Sequence, residues 1–96
     1  MARGTPVSIG GIDFPRKGDA LQHLRVMLWR YSPGDRVSED DTAFLKAALP
    51  RHPEADEKIG AGIDHFLVRS DEYGKQCFWV VRTDSTTDRF SYKSLV

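Results

Sequence analysis

The chain has 96 residues, of which 40% are hydrophobic and 29% are charged, a composition typical of one folded domain and unlike that of a disordered chain. Its 14 basic residues equal its 14 acidic residues in number, so a polyanionic partner would have to be held by a local patch and not by the charge of the whole protein. The apolar runs are far shorter than the roughly 20 residues of a membrane-spanning helix, and a single cysteine, Cys77, without a secretory signal is typical of the cytoplasm.

The N-terminal residues predict little regular structure. We expect residues 1–6 to form a flexible terminus and residues 7–96 to form a single domain. Val7, Ile9 and Ile12 belong to one predicted short strand, which Gly10 and Gly11 interrupt.

Two helices are predicted in the next part of the chain. Apolar side chains from Ala20 onward recur at the three- and four-residue spacing of an amphipathic helix, and Pro33 with Gly34 should end that helix just before them. Ser38 is followed by three acidic residues, and this combination favours the N-terminus of a second helix. Pro50 should stop this helix.

The second half of the chain predicts mainly strands. Residues 50–62 contain two prolines and two glycines and predict a connector with one turn of helix at residues 54–58. Residues 63–69 and 76–83 are rich in β-branched and aromatic side chains, and a further short strand is predicted at residues 89–92. The predicted fold class is therefore α+β, with two helices packed on a small, mainly antiparallel sheet in the order β-α-α-β-β-β.

No catalytic, metal or cofactor motif is apparent in the sequence. None of the three histidines has a second ligand at zinc-type spacing, and Cys77 lies in an apolar strand that favours a buried, unreactive thiol. We therefore expect no enzyme activity, no metal and no cofactor. An enzyme centred on the loop residue His52 would need a deep pocket and a hydrogen-bonded acid; the alternative is an imidazole that caps a turn.

Basic and aromatic residues are interleaved around the predicted strands, namely Arg69, Lys75, Arg82, Arg89 and Lys93 among Tyr73, Trp79, Phe90 and Tyr92. Such a mixture can hold phosphates and stack bases. Strand alternation would place Trp79 and Arg82 on opposite faces, so only some of these side chains can share a surface. The alternative is that the aromatics pack beneath the helices while the arginines pair with Asp71, Asp84 and Asp88.

An ordered series of short motifs carries a resemblance to a known family. The motifs are Lys17-Gly18-Asp19-Ala20, Tyr31-Ser32-Pro33-Gly34, Phe44-Leu45, His52-Pro53-Glu54-Ala55, Glu57-Lys58-Ile59-Gly60, Cys77-Phe78, Val81-Arg82 and Phe90-Ser91-Tyr92-Lys93. Together they resemble the DUF3223 family over residues 14–96. That family includes the plant protein defective chloroplasts and leaves, and a domain at the C-terminus of the largest subunit of a plant RNA polymerase devoted to silencing.

The resemblance implies a link to RNA, because the plastid protein is associated with ribosomal RNA maturation and the polymerase domain with transcript-dependent silencing. It implies no catalytic residues. The sequence departs from the plant members in showing neither a plastid-targeting extension nor an attached polymerase. It also carries Leu95 where relatives often have cysteine.

Two hypotheses follow from these patterns. The first is a non-enzymatic, nucleic-acid-associated module that assists the processing of RNA, including ribosomal RNA. The second is a protein-interaction adaptor that makes no direct contact with nucleic acid. The expected partners are accordingly RNA or a protein, and the candidate contact residues are His52, Lys58, Arg69, Arg82, Arg89, Tyr92 and Lys93.

Overall fold

The computed structural model describes residues 6–96, so the predicted flexible terminus, apart from Pro6, lies outside the described residues. The predicted α+β class is confirmed: helices pack on a three-stranded antiparallel sheet. In chain order the elements are β1 (Val7–Ile9), β2 (Ile12–Phe14), α1 (Lys17–Trp29), α2 (Glu39–Ala48), α3 (Ala55–Ile59), β3 (Ile63–Ser70), β4 (Gln76–Arg82) and β5 (Thr87–Phe90), with 3₁₀ turns at Leu49–Arg51 and Tyr92–Leu95. Among the described residues, no helix is long and apolar enough to span a bilayer.

The N-terminal region is a β-hairpin where the sequence predicted one interrupted strand. Strands β1 and β2 pair antiparallel, with Val7 opposite Phe14. Gly10 and Gly11 have φ values of +58° and +81°, which a two-residue hairpin turn requires and which glycine adopts without steric cost. The two glycines therefore reverse the chain between two strands, and the observed order begins β-β.

Helix α1 buries the apolar stripe that its sequence predicts. The side-chain amide of Gln76 donates to the carbonyl oxygens of Leu28 at 2.8 Å and Tyr31 at 2.6 Å, the kind of acceptor that a helix end leaves without an intrahelical partner. Because Gln76 is the first residue of β4, these hydrogen bonds fix the C-terminal end of α1 beside the start of that strand.

A polar network joins the end of α1 to the start of α2. The Ser38 hydroxyl accepts from the backbone N–H of Asp41 at 3.3 Å, which confirms the predicted N-cap. Asp41 is itself buried, and its carboxylate accepts from the Tyr31 hydroxyl at 2.5 Å and from the Arg30 guanidinium at 3.1 Å. Since a buried carboxylate needs such partners, the network ties the two helices to each other.

The sheet has the strand order β3-β4-β5 and places alternate side chains on opposite faces. The inner face, which packs against the helices, consists of Phe66, Val68, Phe78, Val80 and Phe90. Trp79 lies on the outer face directly opposite Arg89 of β5, and Arg69 lies on the same face opposite Cys77. The alternation predicted along β4 is therefore confirmed.

The last strand begins and ends two residues earlier than predicted. It spans Thr87–Phe90 and not residues 89–92, because the preceding turn is tight: the Arg82 N–H donates to the Thr86 carbonyl, so pairing resumes at once. Tyr92 and Lys93 consequently lie in the C-terminal 3₁₀ turn. The single helical turn predicted at residues 54–58 is present as α3.

Candidate nucleic-acid interface

A broad, open groove of about 1360 Å³ follows the outer edge of β5. One wall is the C-terminal half of α1, and the other consists of β4 residues and the whole of β5. The C-terminal 3₁₀ turn packs against α1 and completes the lining. We call this surface the basic groove and define it by its lining residues Arg25, Trp29, His52, Lys58, Lys75, Trp79, Arg89, Tyr92 and Lys93.

The basic groove carries an excess of positive charge although the chain as a whole is neutral. Five lysine and arginine side chains line it, against three carboxylates. One of these carboxylates, Asp71, accepts from the backbone N–H groups of Lys75 at 2.9 Å and Tyr73 at 2.8 Å, and these hydrogen bonds lower the pKa of the Asp71 carboxyl. A second, Asp88, pairs with Lys58 at 3.1 Å. The local excess gives a neutral protein one surface that attracts a polyanion.

Three cations of the groove have no carboxylate partner in the part of the chain that the structure describes. Within residues 6–96, Arg25, Lys75 and Lys93 form no ion pair, and all three are exposed. Arg89, by contrast, donates to Glu72 at 2.7 Å, and this hydrogen bond raises the pKa of Arg89. The three unpaired side chains keep their donors free for phosphate oxygens.

Two indoles line the groove, and they differ in accessibility. Trp29, in the last turn of α1, is 64% exposed, and Arg25 lies one helical turn before it on the same face. Trp79 is partly buried, with the Arg69 guanidinium 5.2 Å from its ring centroid, within cation–π range. The surroundings of Trp79 are partly shielded from water, and burial accordingly raises the pKa of the Cys77 thiol, two residues earlier in β4. Trp29 is therefore the more accessible stacking surface.

Two of the predicted contact residues, Lys58 and Arg82, are held with Asp88 in an internal network that we call the clasp. The Arg82 guanidinium donates to the carbonyl oxygens of Lys58 at 3.0 Å and Glu57 at 2.9 Å, and to the Asp88 carboxylate at 3.4 Å. The Lys58 ammonium donates to Asp88 at 3.1 Å and to the Arg89 carbonyl at 3.0 Å. The clasp thus attaches α3 to β4 and β5, and it leaves these two side chains little capacity to bind phosphate.

His52 caps a turn, which was the alternative to a catalytic role. Its Nδ1 accepts from the backbone N–H of Glu54 at 2.9 Å, so the neutral ring carries its proton on Nε2. Within residues 6–96, no carboxylate side chain hydrogen-bonds to His52. In the same part of the chain, no three metal-ligating side chains lie close enough to hold an ion.

The structure brings five of the seven predicted contact residues to the groove, namely His52, Lys58, Arg89, Tyr92 and Lys93. Of the other two, Arg69 stacks over Trp79 on the outer face of the sheet. Arg82 points to the opposite side of the sheet, into the clasp. The predicted set is therefore divided between an open surface and an internal network.

Sequence reasoning missed Arg25 and Trp29, because it sought interleaved basic and aromatic residues only around the strands. A signal was available in α1. Trp29 falls outside the apolar stripe of that helix, and a large aromatic side chain on the polar face of an amphipathic helix indicates exposure. Arg25, one turn earlier, would then have been placed beside it.

Comparisons with known proteins agree with the motif series and with the fold. A family model described as "Protein of unknown function (DUF3223)" matches residues 25–96. The chain is also similar to an uncharacterized protein from Rhodospirillum rubrum whose structure was solved by solution NMR. The two are 56% identical, with a TM-score of 0.89 over 100% of this chain and 92% of the other.

Curated plant proteins are similar over shorter parts of their length. "Protein DCL, chloroplastic" from Solanum lycopersicum is 42% identical over 66% of this chain and 30% of its own length. "DNA-directed RNA polymerase IV subunit 1" from Arabidopsis thaliana is 35% identical over 98% of this chain and 7% of its own length. The chain therefore spans less than a third of these relatives.

Proposed function

The chain belongs to the DUF3223 family, and we propose that it is a non-enzymatic module that binds RNA through the basic groove and assists RNA processing, including that of ribosomal RNA, in the cytoplasm. One observation carries the proposal: three cations that form no ion pair with any residue of 6–96 line the same groove as an exposed indole. Cations hold phosphates, and aromatic faces hold bases. Relatives named as subunits of DNA-directed RNA polymerases IV and V also favour a polynucleotide partner, and a lone free cysteine favours a reducing compartment.

The number of available cations sets the expected strength of the salt effect. Each phosphate contact on a single strand lowers the slope of log K against log salt by about 0.7. If Arg25, Lys75 and Lys93 each contact one phosphate, the slope should be about −2. Lys58, Arg82 and Arg89 should add little, because their donors are already used internally.

The test is a fluorescence-anisotropy titration of labelled single-stranded and hairpin RNAs at several salt concentrations. The proposal predicts binding that weakens with added salt along a slope of about −2. Binding that does not respond to salt, or no binding at low salt, would contradict it. Heparin serves as a control polyanion, since it supplies charge without bases.

A protein-interaction adaptor is the second candidate, favoured by the exposed apolar side chains of Val26 and Trp29 on α1. Such a partner would dock through side chains, because backbone groups at both edges of the three-stranded sheet already have hydrogen-bond partners. Residues 34–37 exchange backbone hydrogen bonds with β3, and on β5 the Arg89 N–H and carbonyl bond to Asp88 and Lys58. These contacts oppose strand addition. An adaptor predicts no salt-dependent RNA affinity.

A further inference from the structure

We propose that the basic groove takes single-stranded and not duplex nucleic acid, with one unpaired base stacked on Trp29 and the adjoining phosphates held by Arg25 and Lys93. The inference rests on the proposed function and specifies its ligand. Three features support it: an exposed indole on a fixed backbone, two exposed cations in the same groove, and the free base face that stacking requires.

The Trp29 indole is exposed on a rigid support. It is 64% exposed, yet it ends a helix whose neighbouring carbonyls, those of Leu28 and Tyr31, are both held by the Gln76 side chain. Tyr31 is fixed in turn by its hydroxyl bond to Asp41. A platform that is already ordered loses little conformational entropy when a flat ligand stacks on it. The backbone that carries the indole is therefore held in place before any ligand binds.

Two exposed cations, Arg25 and Lys93, line the same groove as this indole. Arg25 precedes Trp29 by one turn of α1 and shares its face. Lys93 belongs to the C-terminal 3₁₀ turn that packs against α1, and its backbone N–H is capped by the Ser91 hydroxyl. Both cations are exposed and form no ion pair within residues 6–96. A nucleotide whose base rests on Trp29 would have its flanking phosphates in the groove that these two donors line.

Stacking selects a single strand because the face of the base must be free. In a duplex each base is already stacked on its neighbours, and releasing it opposes binding. Proteins that read duplex RNA by shape contact about 16 base pairs, whereas three unpaired cations in one groove match a short segment. Single-strand modules of similar size cover about 4–16 nucleotides.

The test compares a labelled oligouridine with a duplex of equal length, using wild-type protein and Trp29 variants at low salt. We expect the single strand to bind more tightly. Trp29→Ala should weaken binding about 5- to 150-fold without changing the salt slope, and Trp29→Phe should retain most of the affinity. Ile12→Ala is the control: Ile12 is 40% exposed on β2 and does not line the groove, so its variant should bind within about twofold of wild type.

A second measurement leaves the proposed stacking residue, Trp29, in place. Oligouridine should quench the emission of Trp29 in a Trp79→Phe variant, which leaves Trp29 as the sole tryptophan. Equal affinity for the duplex, unchanged affinity of Trp29→Ala, or wild-type affinity of Trp29→Leu would overturn the stacking site, while salt-dependent RNA binding would leave the proposed function standing. No binding to any RNA at low salt would overturn both.

Discussion

The clasp contrasts with a second set of side chains, Arg25, Trp29 and Lys93, which we call the open wall of the groove. Both sets contain an arginine and a lysine, but these basic side chains are internally hydrogen-bonded in the clasp and free on the open wall within residues 6–96. In the clasp, Arg82 is 12% exposed and Lys58 is 16% exposed, and both donate to carbonyl or carboxylate oxygens. On the open wall, the cations are exposed and unpaired within residues 6–96. Whether a charged side chain is available to a ligand therefore depends on its hydrogen-bond partners and not on its sign.

The two regions therefore predict different consequences of mutation. Removing a charge from the clasp leaves a carboxylate and two carbonyls short of partners, so stability should fall. Removing a charge from the open wall leaves nothing unsatisfied, so stability should hold while affinity for a polyanion falls.

The largest expected effect is that of Arg82→Ala, which deletes hydrogen bonds to Lys58, Glu57 and Asp88. The free energy of unfolding should fall by about 2–3 kcal/mol, an amount reduced from that of a fully buried pair because Asp88 is 38% exposed. Urea unfolding followed by circular dichroism measures it as a shift in midpoint at constant m. Lys75→Ala is the control and should change stability by less than about 0.5 kcal/mol. Equal stability of the two variants would show that the clasp has no structural role.

Gly60→Ala should disturb the clasp from the other side. Gly60 has φ +53°, and a Cβ there would lie 2.9 Å from both Cδ and Nε of Arg82. Backbone strain and this contact should destabilise the protein by about 1–3 kcal/mol. Gly18→Ala provides a matched control, because Gly18 lies in α1 with no atom near a new Cβ, and it should be neutral or stabilising by up to about 1 kcal/mol. Thermal unfolding of the two variants gives the comparison, and an unchanged midpoint for Gly60→Ala would count against the close packing of Arg82.

The smallest effect on stability, and the sharpest contrast, is expected from Arg25→Gln combined with Lys93→Gln. Two phosphate contacts on a single strand are lost, so the salt slope should become less negative by about 1.4. The unfolding midpoint should stay within the range of ordinary surface substitutions. Anisotropy titrations at several salt concentrations, beside urea unfolding of the same preparation, measure both quantities. A slope equal to that of wild type would place the phosphates elsewhere.

Much of the fold could be predicted because its signals are local. The apolar spacing of α1, the Ser38 cap of α2 and the β-branched runs of β3 and β4 each act within a few residues. The N-terminal hairpin was predicted only in part, since its strands have three residues each, too few for a periodic pattern. Its second strand depends on pairing across the Gly10-Gly11 turn.

The site was less predictable because it depends on contacts distant in sequence. Lys58 and Asp88 are 30 residues apart, and only the packing of α3 against the sheet shows that the Lys58 charge is already paired. The sequence did place Lys93 and Arg89 among the candidates. The sequence did not group these residues with Trp29, because only the folded chain brings α1 and the C-terminal turn to the same groove.

The most direct test of the division between the clasp and the open wall is a ¹H–¹⁵N NMR titration of the protein with oligouridine. The account predicts that the Trp29 indole N–H and the backbone amides of Arg25 and Lys93 shift with added ligand, while those of Lys58 and Arg82 stay in place. The shifts should disappear as salt is raised. Shifts centred on Lys58 and Arg82, with the Trp29 indole signal unchanged, would contradict it.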